Sequence, residues 1–504
     1  MNLYAAFREA FPADMGQVCL ETDTGRKVTY AELDQASARI AALIRKLRVQ
    51  PGERVTVQVD KSPEALFLYL ACLRAGVIYM PLNSGYTAAE LDYFLGDAKP
   101  ALVVSSPKGF AEMQRLAAKA GCATVLSLDA DGRGSLTERA ALEQPSAAIT
   151  PTDAEDVAAM LYTSGTTGRS KGALLSHRAL LSNAQTLVEA WGFTKDDVLL
   201  HTLPIFHVHG LFVAFGCALL SQAKMLFHPA FDAEKALAAM DRATVFMGVP
   251  TYYTRLLANA GLTREKVAGM RLFVSGSAPL LAETFSAFHQ RTGHHILERY
   301  GMTETGMNTS NPLKGERRLG TVGFALPGIE LRIADDDGLP VAAGETGIIE
   351  VRGANLLKGY WNNPEKTATA FRSDGFFITG DVAKFDADGY VVIVGRASDM
   401  IISGGYNVYP KEIETVIDAM PGVGESAVIG VPHPDFGEGV VAVVRTAQGC
   451  DHPPESEIIA ALKKELAGYK VPKKVIFVED LPRNAMGKVV KAELRKAHSG
   501  LFEA

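Results

Sequence analysis

The chain has 504 residues, 47% hydrophobic and 21% charged, with a formal net charge of −6. That length exceeds what one hydrophobic core usually organises, so two or more domains are expected, and the composition is that of a globular enzyme, not a disordered chain. The mildly acidic balance gives no electrostatic case for nucleic acid or a membrane surface, so an anionic ligand must be held by local cations.

Strand patterns at 55–59, 102–104, 157–162, 198–200, 245–247 and 272–274 alternate with helical periodicity, first seen at 64–73. Such repetition predicts largely parallel sheets covered by helices. The most apolar stretch, 210–220, is too short to span a bilayer and reads as a buried core helix. Beyond about residue 325 the strand patterns at 330–333, 347–351 and 390–394 are closely spaced, as in an antiparallel barrel-like part or meander. Strands at 427–431, 440–444 and 474–477 with a helix at 457–466 then predict a small α+β unit. The expected fold class is therefore α/β. A large N-terminal domain, 1–397, combines helix-covered parallel sheets with the β-barrel-like part, and a small α+β C-terminal domain covers 398–504. Cys19, Cys72, Cys122, Cys217 and Cys450 form no C-x-x-C pair. A disulfide framework or zinc site is thus not expected, and a reducing cytoplasm is the default location. The N-terminus lacks a basic segment followed by an apolar one, so no secretory leader is expected.

The strand pattern at 157–162 runs into Thr163-Ser164-Gly165-Thr166-Thr167-Gly168-Arg169-Ser170-Lys171-Gly172. Glycines let the backbone approach an anion, N–H groups and hydroxyls donate to its oxygens, and Arg169 and Lys171 neutralise charge. A polyphosphate fits this chemistry. The spacing is not that of a Walker A loop, where Ser or Thr follows the lysine.

Three further segments follow in order: Tyr300-Gly301-Met302-Thr303-Glu304, then Thr379-Gly380-Asp381 with Gly395-Arg396 behind it, then Pro482-Arg483-Asn484-Ala485-Met486-Gly487-Lys488. With the phosphate loop they make the chain resemble, over nearly its whole length, the adenylate-forming superfamily of acyl-CoA synthetases, adenylation domains and luciferases. The resemblance implies an ATP-dependent acid–thiol ligase. A carboxylate attacks the α-phosphorus of ATP, and a thiol, usually that of CoA, then displaces AMP. Two steps are needed because a carboxylate oxygen leaves poorly, whereas AMP leaves well from the mixed anhydride it forms with the acid.

The same resemblance implies roles. Thr163, Ser164, Gly165, Thr166, Thr167, Gly168 and Lys171 would hold the β- and γ-phosphates. Glu304, with Thr163, would bind Mg²⁺, a hard cation that takes oxygen ligands. Tyr300 would stack on the adenine opposite Gly276, Ser277 and Ala278, with Gly301 and Thr303 alongside. Asp381 would accept from the ribose hydroxyls and Arg396 would reach the ribose or phosphate. Lys488 would bridge the attacking carboxylate and the α-phosphate, offsetting their repulsion. Ser398 occupies the family's hinge position, where Asp or Lys is usual, and Gly404 and Gly405 would approach the CoA pantetheine in a second domain orientation.

The resemblance also implies that Arg299, and His207 in Pro204-Ile205-Phe206-His207-Val208-His209-Gly210, border the acyl pocket, with an aromatic gate or a helix cap as the other reading of His207. A buried guanidinium needs an anionic partner. Two partners are open: neighbouring Glu298, or a second carboxylate on the substrate, to which His207 would also donate. Segments 299–307 and 207–211 most resemble malonyl-CoA synthetases, which implies malonate as substrate with methylmalonate tolerated. A short-chain or aryl acyl-CoA synthetase, a stand-alone adenylation enzyme loading a carrier protein, and a non-catalytic nucleotide-binding scaffold are the alternatives. Sixteen residues follow Lys488, so no fused carrier domain is expected, and no membrane or nucleic-acid partner either.

Overall fold

The structure, a computed structural model, describes residues 1–163, 170–404, 406–484 and 487–502. Ser164, Gly165, Thr166, Thr167, Gly168, Arg169 and Gly405, all named above, lie outside the described residues.

Two mostly parallel sheets form the large part of the chain. One has seven strands in the order 359–360, 171–176, 157–163, 78–81, 54–58, 102–105, 125–127, and its last five strands are parallel. The other has nine, in the order 324–325, 306–310, 297–302, 272–275, 245–248, 198–201, 224–227, 18–22, 27–29, with a parallel run from 297–302 to 18–22. Both read in sequence as apolar runs because both of their faces are covered. Successive side chains leave a strand on opposite faces. Hence Val245 and Met247 enter the core between the two sheets, whereas Phe246 enters an outer core under helices Ala233–Ala239, Pro250–Leu257 and Ala282–Thr292. In the seven-stranded sheet Leu102 and Val104 face the shared core and Val103 faces helices Ala88–Ala98 and Phe110–Lys119. Helix Pro63–Ala75 lies in the shared layer and is buried at every residue, which its near-continuous apolar sequence allows.

The strand patterns after 325 form an antiparallel sheet ordered 329–334, 347–353, 377–385, 391–396. Its order follows the chain, which is the meander form of the two expected. A separate C-terminal domain follows. Its sheet pairs Gly437–Thr446 with Val423–His433 and Ile401–Ser403 antiparallel and with Lys474–Val478 parallel. Val440, Ala442 and Val444 pack under helices Pro410–Asp418 and Glu455–Glu465, and Val441 and Val443 pack towards helix Lys491–Ala497, so this domain has two cores of its own.

Two local details bear on segments named above. Residues 171–176 are a strand paired antiparallel with Val157–Thr163, so the phosphate loop connects a hairpin, and the helix starts only at His177 after the Ser176 cap. The apolar stretch at 210–220 is not one α-helix. A six-residue π-helix, His209–Ala214, leads into α-helix Phe215–Ser221.

Candidate active site

The candidate residues gather beyond the carboxyl ends of the parallel strands, where open α/β sheets place their ligands. Strand Val157–Thr163 ends at Thr163, strand Leu272–Ser275 runs into Gly276-Ser277-Ala278, and Leu297–Met302 carries Arg299, Tyr300 and Gly301. Residue 301 must be glycine, because a Cβ there would overlap the Gly306 carbonyl across the hairpin. Ser277 adopts φ +72°, a strained conformation for a residue with a side chain, in the turn expected to flank a base. Ala278 and Thr303 are half-buried beside these segments.

Asp381 and Arg396 face each other across neighbouring strands. The Tyr300 hydroxyl donates to one Asp381 oxygen (2.5 Å) and Arg396 Nε donates to the other (2.7 Å). Burial, and then the Asp381 charge, push the Tyr300 hydroxyl well above its ordinary pKa, while Asp381 raises that of Arg396. The three nucleotide residues therefore form one network.

A second group surrounds Glu304, which is buried. The hydroxyls of Thr163 (3.1 Å) and Tyr360 (3.2 Å) both donate to Glu304 Oε1. Burial raises the pKa of this carboxyl, and among the described residues it has no ion-pair partner. Lys171 extends over the Tyr360 ring, 5.9 Å from its centre, and burial followed by the Lys366 charge lowers its pKa.

The third group is the acyl side. Arg299 is 3% exposed, and its Nε and Nη2 have no hydrogen-bond partner. Glu298 does not neutralise it. Neighbours in a strand face opposite ways, and Glu298 Oε1 instead accepts from the Leu280 N–H (3.0 Å). Burial lowers the Arg299 pKa to about 9 and raises that of Glu298 to about 7, as befits two charges buried apart. A Cβ on residue 276 would lie 2.5 Å from Arg299 Cζ, so a side chain there would have to displace the guanidinium. Burial, helped by the Arg299 charge, lowers His207 to about 4 and His209 well below its ordinary value. Both imidazoles are thus neutral at pH 7. The His209 backbone N–H donates to His207 Nδ1 (3.3 Å), which places the His207 proton on Nε2. His209 Nδ1 lies 3.4 Å from Ser277 Oγ, and His209 Nε2 is buried without a partner.

Lys488 reaches the nucleotide group from the C-terminal domain. Its loop is closed by Asn484, whose side chain accepts from the Lys488 N–H (3.0 Å). A Cβ on Gly487 would lie 3.0 Å from Thr251 Oγ1 of the large domain, so the loop docks there. The Lys488 side chain keeps solvent access, yet surrounding protein, then Arg396, lower its pKa while Asp381 and Asp399 oppose the shift. Ser398 is exposed in the single turn Ala397–Asp399 that joins the domains. Gly404 is not part of this cluster. Its N–H donates to the Phe436 carbonyl (2.9 Å) on the C-terminal domain.

Several residues near these groups escaped the sequence reading. Tyr360 and Thr251 belong to no motif. His209 sits two residues from His207 and was passed over. Beside Gly404 an exposed aromatic patch holds Tyr406 and Tyr469, stacked 4.6 Å apart, with Lys470 beside the Tyr469 ring and Lys473 over Phe436.

Among the described residues no helix is long and apolar enough to cross a membrane, and no group of three His, Cys, Asp or Glu side chains is placed to hold a metal. The fold and sequence match known proteins along the whole chain. ATP-bound MatB from Rhodopseudomonas palustris is 54% identical with a TM-score of 0.97, covering 100% of this chain and 99% of that one. The apo structure of the same protein gives 0.85. A feruloyl-CoA synthase from Amycolatopsis is 37% identical over 94% of both chains. The mitochondrial malonate–CoA ligase of Mus musculus is 38% identical over 93% of this chain and 86% of its own. Family models for the AMP-binding enzyme and for the AMP-binding enzyme C-terminal domain match residues 7–361 and 412–488, and the chain belongs to this family of adenylate-forming enzymes.

Proposed function

We propose that the protein is an AMP-forming acid–CoA ligase that converts malonate, ATP and CoA into malonyl-CoA, AMP and pyrophosphate, and that it tolerates methylmalonate. The observation that carries the choice of acid is Arg299, a buried guanidinium without a protein anion. A substrate with a second carboxylate supplies that anion, and the His207 Nε2–H is a further donor for it. An aryl acid such as ferulate leaves the charge buried and unpaired, at a cost of several kcal/mol. The relatives include both an aryl and a dicarboxylate ligase at similar identity, and Arg299 supports the dicarboxylate reading.

The first half-reaction joins two anions. A malonate oxygen attacks the α-phosphorus of ATP and pyrophosphate leaves. Lys488 lies between the oxygens, and its charge favours the crowded transition state more than the separated reactants. Asp381 exchanges the Tyr300 hydroxyl for those of the ribose, Arg396 stays over the phosphate side, and Tyr300 stacks on the base against Gly276, Ser277 and Ala278, beside Gly301 and Thr303. Lys171 and the loop after Thr163, residues 164–168, hold the outer phosphates. Glu304 and Thr163 fit Mg²⁺, because a buried carboxylate that accepts from two hydroxyls and has no ion-pair partner among the described residues suits a hard cation with oxygen ligands. That ion would neutralise the polyphosphate.

In the second half-reaction the CoA thiol attacks the acyl carbonyl and AMP leaves. We assign the large domain to 1–397 and the mobile one to 398–504, pivoting at Ser398 so that Lys488 withdraws and Gly404 and Gly405 approach the pantetheine. The TM-scores of 0.97 and 0.85 against two structures of one relative support more than one arrangement of the parts. The Tyr406–Tyr469 stack and its lysines suit the adenine and phosphates of CoA. The free cysteines support a reducing, cytoplasmic setting, with small molecules as the only partners.

The test is AMP formation with ATP, Mg²⁺ and CoA across malonate, methylmalonate, succinate, acetate, octanoate and benzoate. Malonate is expected to lead with methylmalonate behind it. A monocarboxylate in the lead overturns the choice of acid.

A further inference from the structure

The turn that carries His207 and His209 is held from behind by two residues outside every motif named above. Lys61 lies between strand Arg54–Gln58 and helix Pro63–Ala75. Its Nζ is 2.9 Å from His201 Nδ1, 2.9 Å from the His201 carbonyl oxygen and 4.3 Å from the centre of the Phe227 ring. His201 ends strand Val198–His201, is 1% exposed, and places Nε2 2.8 Å from the Gly210 carbonyl oxygen. The Gly210 carbonyl only accepts, so the His201 ring proton sits on Nε2 and Nε2–H donates to it, while Nδ1 accepts from Lys61 Nζ, an amine whose pKa burial holds well below its ordinary value.

Gly210 is where the chain leaves ordinary helical geometry. Its carbonyl also accepts from the Phe215 N–H, five residues on, which is the bond of the π-helix. π-turns are rare, lose the ordinary four-residue pairing and gather at functional sites. Residue 210 has no room for a side chain, since a Cβ would overlap the Pro204 carbonyl. The segment therefore folds back on itself, and the His201 bond is its side-chain tie to the sheet. His207 and His209 sit three residues and one residue before the tied carbonyl, close enough to Arg299 to sense its charge.

We propose that Lys61 and His201 are positioning residues for acid recognition. Lys61 anchors the His201 ring and its carbonyl, His201 holds the Gly210 carbonyl, and the π-turn so held sets His207 and His209 towards Arg299. The proposal rests on the reading of the Arg299 pocket as the site of the acid.

Steady-state kinetics of three full-length variants test it, with melting temperatures measured alongside. His201→Phe keeps the ring volume and removes the donor. His201→Gln keeps an amide donor near the position of Nε2. Lys61→Met keeps the stem and removes the amine that anchors the imidazole at Nδ1. His201→Phe is expected to raise KM for malonate roughly tenfold, the weight of one buried hydrogen bond, with KM for ATP within twofold of wild type. His201→Gln is expected to stay within about threefold of wild type, and Lys61→Met to share the selective rise in malonate KM. The proposal is overturned if His201→Phe leaves malonate KM unchanged, if the malonate and ATP constants rise together, or if Gln is as damaging as Phe. Should His201→Phe fail to fold, an unchanged malonate KM in Lys61→Met overturns it alone. A wild-type preference for another acid defeats the malonate reading separately, and the split between acid and ATP constants is then read with that acid.

Discussion

The guanidinium of Arg299 occupies the space that a side chain at Gly276 would fill, with Cζ only 2.5 Å from where a Cβ would stand. The charge and the gap are therefore one feature. Gly276 makes room on the strand-end turn, and the neighbouring strand fills it with a guanidinium whose Nε and Nη2 have no hydrogen-bond partner among the described residues. Gly276→Ala is expected to displace the guanidinium and lower kcat/KM for malonate at least tenfold, with ATP binding by equilibrium dialysis changed less. Equal losses in both would detach Gly276 from the acid.

Lys488→Ala is expected to slow malonate-dependent ATP–pyrophosphate exchange by about 10²–10³, the usual loss when one preorganised charge is removed. Turnover of supplied malonyl-adenylate with CoA is expected to persist, since Lys488 acts in the first half-reaction. Loss of both activities would place Lys488 in both steps.

Glu298 gives a stability prediction with a definite sign. Its folded pKa of about 7 stands above the ordinary 4.5, so between these pH values the folded protein holds a proton that the unfolded chain has released. Wild-type stability contributed by this group is complete below pH 4.5 and falls as pH rises through 7. Glu298→Gln keeps an acceptor for the Leu280 N–H and has no charge to bury. It is expected to gain on wild type as pH rises, to about 3 kcal/mol above pH 7, and to match it near pH 4.5. Urea unfolding at pH 4.5 and 8 measures the difference, and a pH-independent gap would contradict it.

Tyr469→Ala is expected to raise KM for CoA about tenfold, the weight of one base-stacking aromatic, without changing pyrophosphate exchange. A CoA constant within twofold of wild type would remove the Tyr406–Tyr469 patch from the CoA path.

Much of this was legible in the sequence. The strand runs at 245–247 and 272–274 appear in the structure because both their faces are buried, and the Tyr-Gly-Met-Thr-Glu segment lies at the end of strand Leu297–Met302. Period two along strand Leu297–Met302 already separates Arg299 from Glu298, so the choice between two anions was open in the text but closed by strand geometry. Other contacts had no local signal. Tyr360 meets Glu304 across 56 residues and Lys61 meets His201 across 140, in pairings set only by how the sheets stack. The π-helix at His209–Ala214 was read as ordinary helix because its apolar residues carry no mark of the longer pairing.

The central claim is that Arg299 reads the second carboxylate. The most direct measurement is the ratio of kcat/KM for malonate to that for acetate, in wild type and in Arg299→Ala. The ratio is expected to fall at least about 100-fold, because a site built to bond a substrate group loses its discrimination with the bonding residue. Acetate turnover is expected to hold or rise. An unchanged ratio would contradict the account and return Arg299 to a structural role.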